Sequence, residues 1–220
     1  MRPVLVTGFE PYGGRGSNPA YDTMRALDGR TIGGVEVIGR ALPVAIASIK
    51  ANIAKLLDEI SPSAVISVGL WPGEPMIRLE RVGINIADFE IPDNEGAICR
   101  DSEISGNGLP ARLASLPLRK IEQELLAAGI PVRMSSTAGT FLCNACLYGF
   151  LEAIDKETRY IPCGFIHLPY TPEQVAQVVD NIRNGRILEQ HQRADLASME
   201  LSRSIRAVEI AIDTTVQTLA

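Results

Sequence analysis

Apolar runs of strand length alternate with helical patterns along nearly the whole chain, and that rhythm leaves few architectures open. "PVLVTGF" at 3–9 reads as a buried strand, followed by the Gly/Pro loop "EPYGGRGS". Asn18 ahead of Pro19 marks a helix start, with Asn as cap and Pro in the first turn. "VEVIGRALPV" (35–44) returns as a strand, and the next stretch places Ile46, Ile49, Ile53, Leu56, Leu57 and Ile60 at helical spacing. "AVISVGL" (64–70) is a third apolar run, and "RLERVGINIADFEI" (78–91) alternates like a strand in its first half. Residues 92–108 are polar and rich in turn formers, so they read as a long surface loop. Helix resumes near Ser115, with Leu118, Ile121, Leu125 and Leu126 on one face and Gly129 as its stop. "PVRMSSTAG" is a strand, 143–154 a helix, "IPCGFIHLPY" a strand, and "TPEQVAQVVDNI" a helix capped by Thr171, with Pro172 first and Glu173 close behind. A final amphipathic helix is expected over about 195–219. With no repeat or linker, the alternation predicts an α/β fold. It is a single three-layer α/β/α domain over residues 1–220, with a mostly parallel, twisted central sheet.

Charge narrows the function. The chain has 21 basic and 26 acidic side chains, a net −5, and no cluster of Lys or Arg, which argues against nucleic acid as a partner. The opening "MRPVLVTGFE" is too short in its apolar run for a signal peptide, and nothing later approaches a membrane span. A cytoplasmic protein is the expectation. Its four cysteines, Cys99, Cys143, Cys146 and Cys163, are then reduced thiols, for catalysis, metal binding or burial.

The chemistry concentrates in "TAGTFLCNACLYGF", 137–150. A C-x-x-C at a helix start suits a redox pair, but this one lies far along the chain and its middle residues lack Gly-Pro. As a metal site it needs two more ligands, and none sits at a paired spacing. Cys146, on another face of the helix, reads as a small buried hydrophobe. Cys143 sits where a Gly-containing turn meets the helix, so free N–H groups and the positive helix end favour a thiolate there and can later hold an oxyanion. A thiol nucleophile needs a base, and the chain has only His167 and His191. His191 lies in the polar run "LEQHQRAD" and reads as surface, whereas His167 ends the strand-like "GFIHLPY". Strand ends and helix starts share one edge of an α/β sheet, so His167 and Cys143 can converge. Glu80 interrupts an alternating strand; it is either a buried carboxylate seeking a partner or an exposed edge residue paired with Arg78 or Arg81. "GFEPYGGRGSNP" lacks the Lys-Ser/Thr of a P-loop and reads as a tight loop bringing Phe9 and Tyr12 to a small ligand.

Taken together, "LVTGFEPYGG…NP", "ERVGINIADFEIPDNEG", "STAGTFLCN" and "GFIHLPY" resemble the pyroglutamyl peptidase type I family of cysteine peptidases, in order from about Val4 to Glu173. The resemblance implies removal of an N-terminal pyroglutamyl residue from small peptides, no cofactor, and a homo-oligomer (dimer or tetramer). It makes Cys143 the nucleophile, His167 the general base and acid, and Glu80 the third member. It also places Phe9, Tyr12, Asn18, Leu70, Ile91, Phe141 and Leu142 at substrate-pocket positions. The chain departs from the family where "GLWPGEP" replaces a glutamine-containing turn, so Leu70 stands for a lactam-binding glutamine and Trp71 and Pro72 reshape the rim. Glu90 stands for a customary arginine, and a carboxylate there is expected to raise the Cys143 pKa. Other readings are a related thiol amidase for another blocked N-terminus or lactam, and a non-catalytic relative.

Overall fold

The computed structural model describes residues 2–157, 160–185 and 196–219. Its first strand, β1 (Val4–Phe9), lies inside the sheet and is buried at every residue, as a strand covered on both faces must be. Asn18 then opens α1 (Pro19–Leu27), its side-chain oxygen accepting from the Ala20 N–H at 3.0 Å. The chain continues through β2 (Thr31–Ile32), β3 (Val35–Leu42), α2 (Ile46–Ile60) and β4 (Ala64–Leu70). After β5 (Ile77–Glu80), a separate antiparallel ribbon pairs β6 (Val82–Ile84) with β7 (Ala111–Leu113). The rest is α3 (Leu118–Ala127), β8 (Val132–Ser135), α4 (Leu142–Ile154), β9 (Cys163–Leu168), α5 (Pro172–Arg183) and α6 (Leu201–Gln217).

The seven-stranded sheet runs β2-β3-β1-β4-β9-β5-β8. Strands β3, β1, β4 and β9 are parallel; β5 runs against β9, and β8 runs with β5. The sheet is thus mostly parallel, with an apolar core on each face. Met24, Leu27, Ile121, Leu125, Val208 and Ile212 fill one core under α1, α3 and α6. Ile49, Ile53, Leu147, Phe150 and Phe165 fill the other under α2 and α4.

The reversal at β9 is what positions the chemistry. The link 71–76 crosses the end of β9, held by the Trp71 N–H donating to the Leu168 carbonyl at 3.0 Å, and β5 descends beside that strand. In this register Arg78 lies opposite His167 and Glu80 opposite Phe165. Leu79 and Ile166 belong to the α1/α3/α6 core, so Arg78, Glu80, Phe165 and His167 all project from the other face. An antiparallel diagonal pair of this kind is within reach of long side chains.

Three expectations needed adjustment. β2 and β7 are too short to show a period in the sequence. The last helix begins at Leu201 instead of about 195, because the Met199 N–H is spent on the Tyr170 carbonyl (2.8 Å) and Ser198 pairs with Tyr170 as extended chain. Residue 195 itself lies outside the described residues. The stretch 92–108 has no helix or strand, as expected, yet it is pinned to the body. Asp93 is buried, and its Oδ2 accepts from the Ile46 N–H at 2.9 Å while Oδ1 takes the Glu95 and Ala97 N–H groups. Ala45, the residue at the cap of α2, offers no side-chain acceptor, so Asp93 caps that helix from a distance. Asp93→Ala should therefore lower stability by about 1–2 kcal/mol, the usual cost of losing such an acceptor. Urea unfolding checks this, and an unchanged midpoint would rule out the remote cap.

Candidate active site

Glycine at position 69 lets the thiol reach the sheet. Gly69 lies opposite His167 in the β4–β9 pairing, and a Cβ built there would come within 2.7 Å of both Cys143 Sγ and the Phe165 ring. The start of α4 therefore presses its sulfur onto the strand beside the imidazole. Asn144 fixes the helix in that place. Its Oδ1 accepts from the Ile84 N–H, and its Nδ2 donates to the Ile84 and Ile86 carbonyls, all at 2.9 Å. Phe141, at the cap of α4, makes no side-chain cap hydrogen bond, so its side chain does not compete for the N–H groups of the first turn.

Cys143 and His167 both line a cavity of about 300 Å³. Its walls come from Tyr12, the Leu70–Trp71–Pro72 corner, Asp88, Glu90 and Ile91, and residues 138–141. Thr140 clasps two of these walls together, its hydroxyl donating to the Asp88 carbonyl at 2.6 Å. Phe141 packs against Phe89 at 4.6 Å and Tyr12 at 5.8 Å between ring centroids, giving the cavity an aromatic side. Of the expected pocket residues, Tyr12, Leu70, Ile91 and Phe141 line it. Phe9 and Leu142 do not; both are buried in the core behind it. Nor does Asn18, whose side chain is committed to the α1 cap and to the Glu10 carbonyl (3.0 Å).

Glu80 is fully buried, and its Oε1 lies 2.8 Å from His167 Nδ1. A carboxylate only accepts, so Nδ1 carries the proton and Nε2 is left as the basic nitrogen. The same Oε1 also takes a 3.0 Å hydrogen bond from Arg78 Nε, so Glu80 is the buried carboxylate and a partner of Arg78 at once. It is not at an edge, because β8 covers β5. Arg81 is exposed.

The electrostatics reverse one expectation. Burial pushes the Cys143 thiol well above its ordinary value, and Cys146 and Glu80 push the same way; only its own backbone N–H opposes them. The helix start does not outweigh that desolvation, so the resting sulfur is a thiol. Glu90 lines the cavity, but it is not among the groups that raise Cys143. Burial likewise lowers the pKa of His167, against the raising effect of Glu80, so the imidazole rests neutral at pH 7. Cys146 is buried and pushed up to about 12 by burial, and its Sγ lies 3.5 Å from Ser67 Oγ. It is structural. All four cysteines are free, and among the described residues no group of His, Cys, Asp and Glu is arranged to hold a metal. His191 lies outside the described residues.

Comparison with known proteins decides the family. The sequence model of the pyroglutamyl peptidase family matches residues 2–218. The chain belongs to the pyroglutamyl peptidase family. It is 38% identical to a pyrrolidone-carboxylate peptidase of Cupriavidus pinatubonensis, over 99% of this chain and 94% of the relative. It is 39% identical to the one of Pyrococcus furiosus, over 98% and 99% of the two chains. A solved mutant pyrrolidone carboxyl peptidase from P. furiosus superimposes with a TM-score of 0.90 at 38% identity, covering 100% of both chains. The one from Thermococcus litoralis gives 0.90 at 36%, covering 100% of this chain and 95% of that one.

Within this family member, Gly69 was not expected at the site, and Arg78 was expected only as a partner of Glu80 at an exposed edge. Gly69 carries no signal except its place opposite His167. Arg78 did carry one: it stands two residues before Glu80 on a strand, hence on the same face. Gly69→Ala should lower Cys143 reactivity, because the new methyl would crowd the sulfur at 2.7 Å and overpacking costs about 1–3 kcal/mol. Competitive alkylation of Cys143 and Cys99 by iodoacetamide measures it. An unchanged Cys143 rate would show that the contact is not restrictive.

Proposed function

We propose that the whole chain acts as one catalytic unit, a cysteine peptidase that removes an N-terminal pyroglutamyl residue from small peptides. The observation that carries this reading is the 2.8 Å contact of buried Glu80 with Nδ1 of an imidazole that shares a cavity with Cys143. In the proposed reaction His167 Nε2 takes the Cys143 proton as the sulfur attacks the pyroglutamyl carbonyl. The nascent imidazolium is stabilised by Glu80. N–H groups in the first turn of α4 receive the oxyanion, at about 2.7–4 kcal/mol per donor in comparable sites. The imidazolium then protonates the leaving amine, and water, activated by the same nitrogen, hydrolyses the thioester. The lactam is uncharged and nearly flat, which suits a slot walled by Tyr12, Phe141, Leu70 and Ile91.

A reduced nucleophilic thiol fits a cytoplasmic setting. Exposed Leu109 and Leu113, at 57% and 76%, support a homo-oligomer, since apolar side chains in that position favour a covering partner. Among the described residues no helix is long and apolar enough to cross a membrane.

Purified protein should release coumarin from a pyroglutamyl-coumarin amide, and Cys143→Ala should reduce release by at least about a thousandfold, as for loss of other catalytic nucleophiles. Equal release by both proteins would eliminate Cys143. Better turnover of a different acyl-coumarin would favour the amidase reading.

The pH profile follows from the signs of the two shifts. Activity needs a neutral imidazole and is lost as pH falls through the His167 pKa, which lies below the ordinary imidazole value of about 6.5. The Cys143 thiol ionises only on the far alkaline side of its ordinary range. kcat/KM should therefore rise below about pH 6.5 and stay level through neutrality. A narrow bell centred on acidic pH would instead indicate a preformed thiolate–imidazolium pair.

A further inference from the structure

Arg78 is nearly inaccessible to solvent, at 4%, and its donors are almost all engaged. Nε reaches Glu80 Oε1 at 3.0 Å and Nη1 reaches Glu74 Oε2 at 3.3 Å. Nη2 donates to Ser135 Oγ at 2.6 Å and to the Thr137 carbonyl at 2.8 Å. The guanidinium carbon also sits 3.7 Å from the centre of the Trp71 ring, and that indole meets His167 edge-on at 5.0 Å. Glu74 in turn is held by Arg133 through two contacts, at 3.1 and 2.6 Å.

Two details give this cluster a role beyond packing. Arg78 Nε and His167 Nδ1 share one oxygen of Glu80, while Oε2 has no partner among the described side chains and backbone. Among the described residues, Arg78 is thus the arginine hydrogen-bonded to this carboxylate, and it fixes where the carboxylate points. The same guanidinium holds the Thr137 carbonyl, and the chain runs from there through 138–142 into Cys143. One planar fork therefore ties the carboxylate behind the base to the segment that delivers the nucleophile.

We propose that Arg78 is a positioning residue of this site, aiming Glu80 at His167 and keeping the imidazole neutral until the sulfur gives up its proton. The inference rests on the Cys143–His167–Glu80 reading above. A lysine cannot substitute fully, because a point charge makes neither the bidentate-type fork nor the flat stack on Trp71. The charges facing His167 are Glu80 and Arg78 from β5 and Glu74 from the β4–β5 link. Cys143 from α4 shares its cavity, with Asp88 and Glu90 in the wall of that cavity. With Arg78 and the half-exposed Arg133 set against buried Glu80 and Glu74, the charges of the cluster balance while the imidazole is neutral. Removing Arg78 leaves one negative charge in excess, which the imidazole would answer by taking a proton.

The test is a histidine titration of the full chain, Arg78→Met and Arg78→Lys, by ring NMR. The sequence has two histidines, so His191→Asn assigns the signals. In Arg78→Met the His167 pKa should rise by about one unit or more, the usual effect of losing a nearby like charge. The acid limb of kcat/KM should move up with it, and kcat should fall about tenfold or more with KM little changed. Arg78→Lys should hold the titration near that of the parent while kcat recovers only in part. An unmoved His167 titration in Arg78→Met, or a loss confined to KM, would overturn the proposal. Should Arg78→Met fail to fold, Arg78→Lys decides: full kcat in that variant would overturn it. A parent protein inactive on pyroglutamyl substrates would sink the functional reading, while the titration would still judge Arg78.

Discussion

A carboxylate with no exposed surface is the most demanding group in this molecule, and much of the site is arranged around Glu80. Burying a lone charge is prohibitive, and a buried pair only partly offsets the loss of water. The chain answers with alternating signs that lead outward. Glu80 meets Arg78, Arg78 meets Glu74, and Glu74 meets Arg133, whose side chain is 51% exposed. The first three are nearly or wholly buried, so the charge is compensated in steps until water takes over. Replacing such a network with apolar side chains would often cost no stability, which makes function the better reason for its presence.

The topology makes that network possible. Had β5 entered parallel to β9, residues at its start would have faced the opposite end of the neighbouring strand. The reversal, made by a link that passes over β9, brings Arg78 level with His167 and Glu80 one diagonal step away. It also brings the Trp71 ring against the imidazole in an edge contact, 5.0 Å between centroids, while the Arg78 guanidinium lies 3.7 Å from the centre of the same indole. Water exclusion strengthens each of these contacts, since the local dielectric falls.

The sequence reading reached some of this and missed other parts for identifiable reasons. Strand and helix order was visible because buried parallel strands appear as unbroken apolar runs and helices as spaced ones. Cys143 and His167 stood out by scarcity: one thiol at a helix start, one histidine in a strand. Glu80 stayed ambiguous, because whether β5 is an edge depends on β8 joining it from fifty residues further on. The Asp93 cap was invisible for the same reason, as its partner Ile46 lies 47 residues away. Phe9 and Leu142 were expected at the pocket from the family resemblance, but their side chains pack in the core behind it. The thiolate was expected from the helix end alone, and the burial that outweighs it depends on the sheet face beneath.

A preformed ion pair suits an open cleft, where water shares the cost of separated charge. Here the sulfur is pressed against Gly69 and Phe165, and the imidazole is buried, so separated charge at rest would be expensive. A neutral thiol beside a neutral imidazole is the cheaper ground state. In the proposed mechanism charge appears only as the sulfur bonds to carbon, when Glu80 would face a new imidazolium and the α4 N–H groups a new oxyanion. Those groups are already fixed in place, so their stabilisation is felt in the transition state more than in the resting enzyme, which is the condition for it to raise kcat.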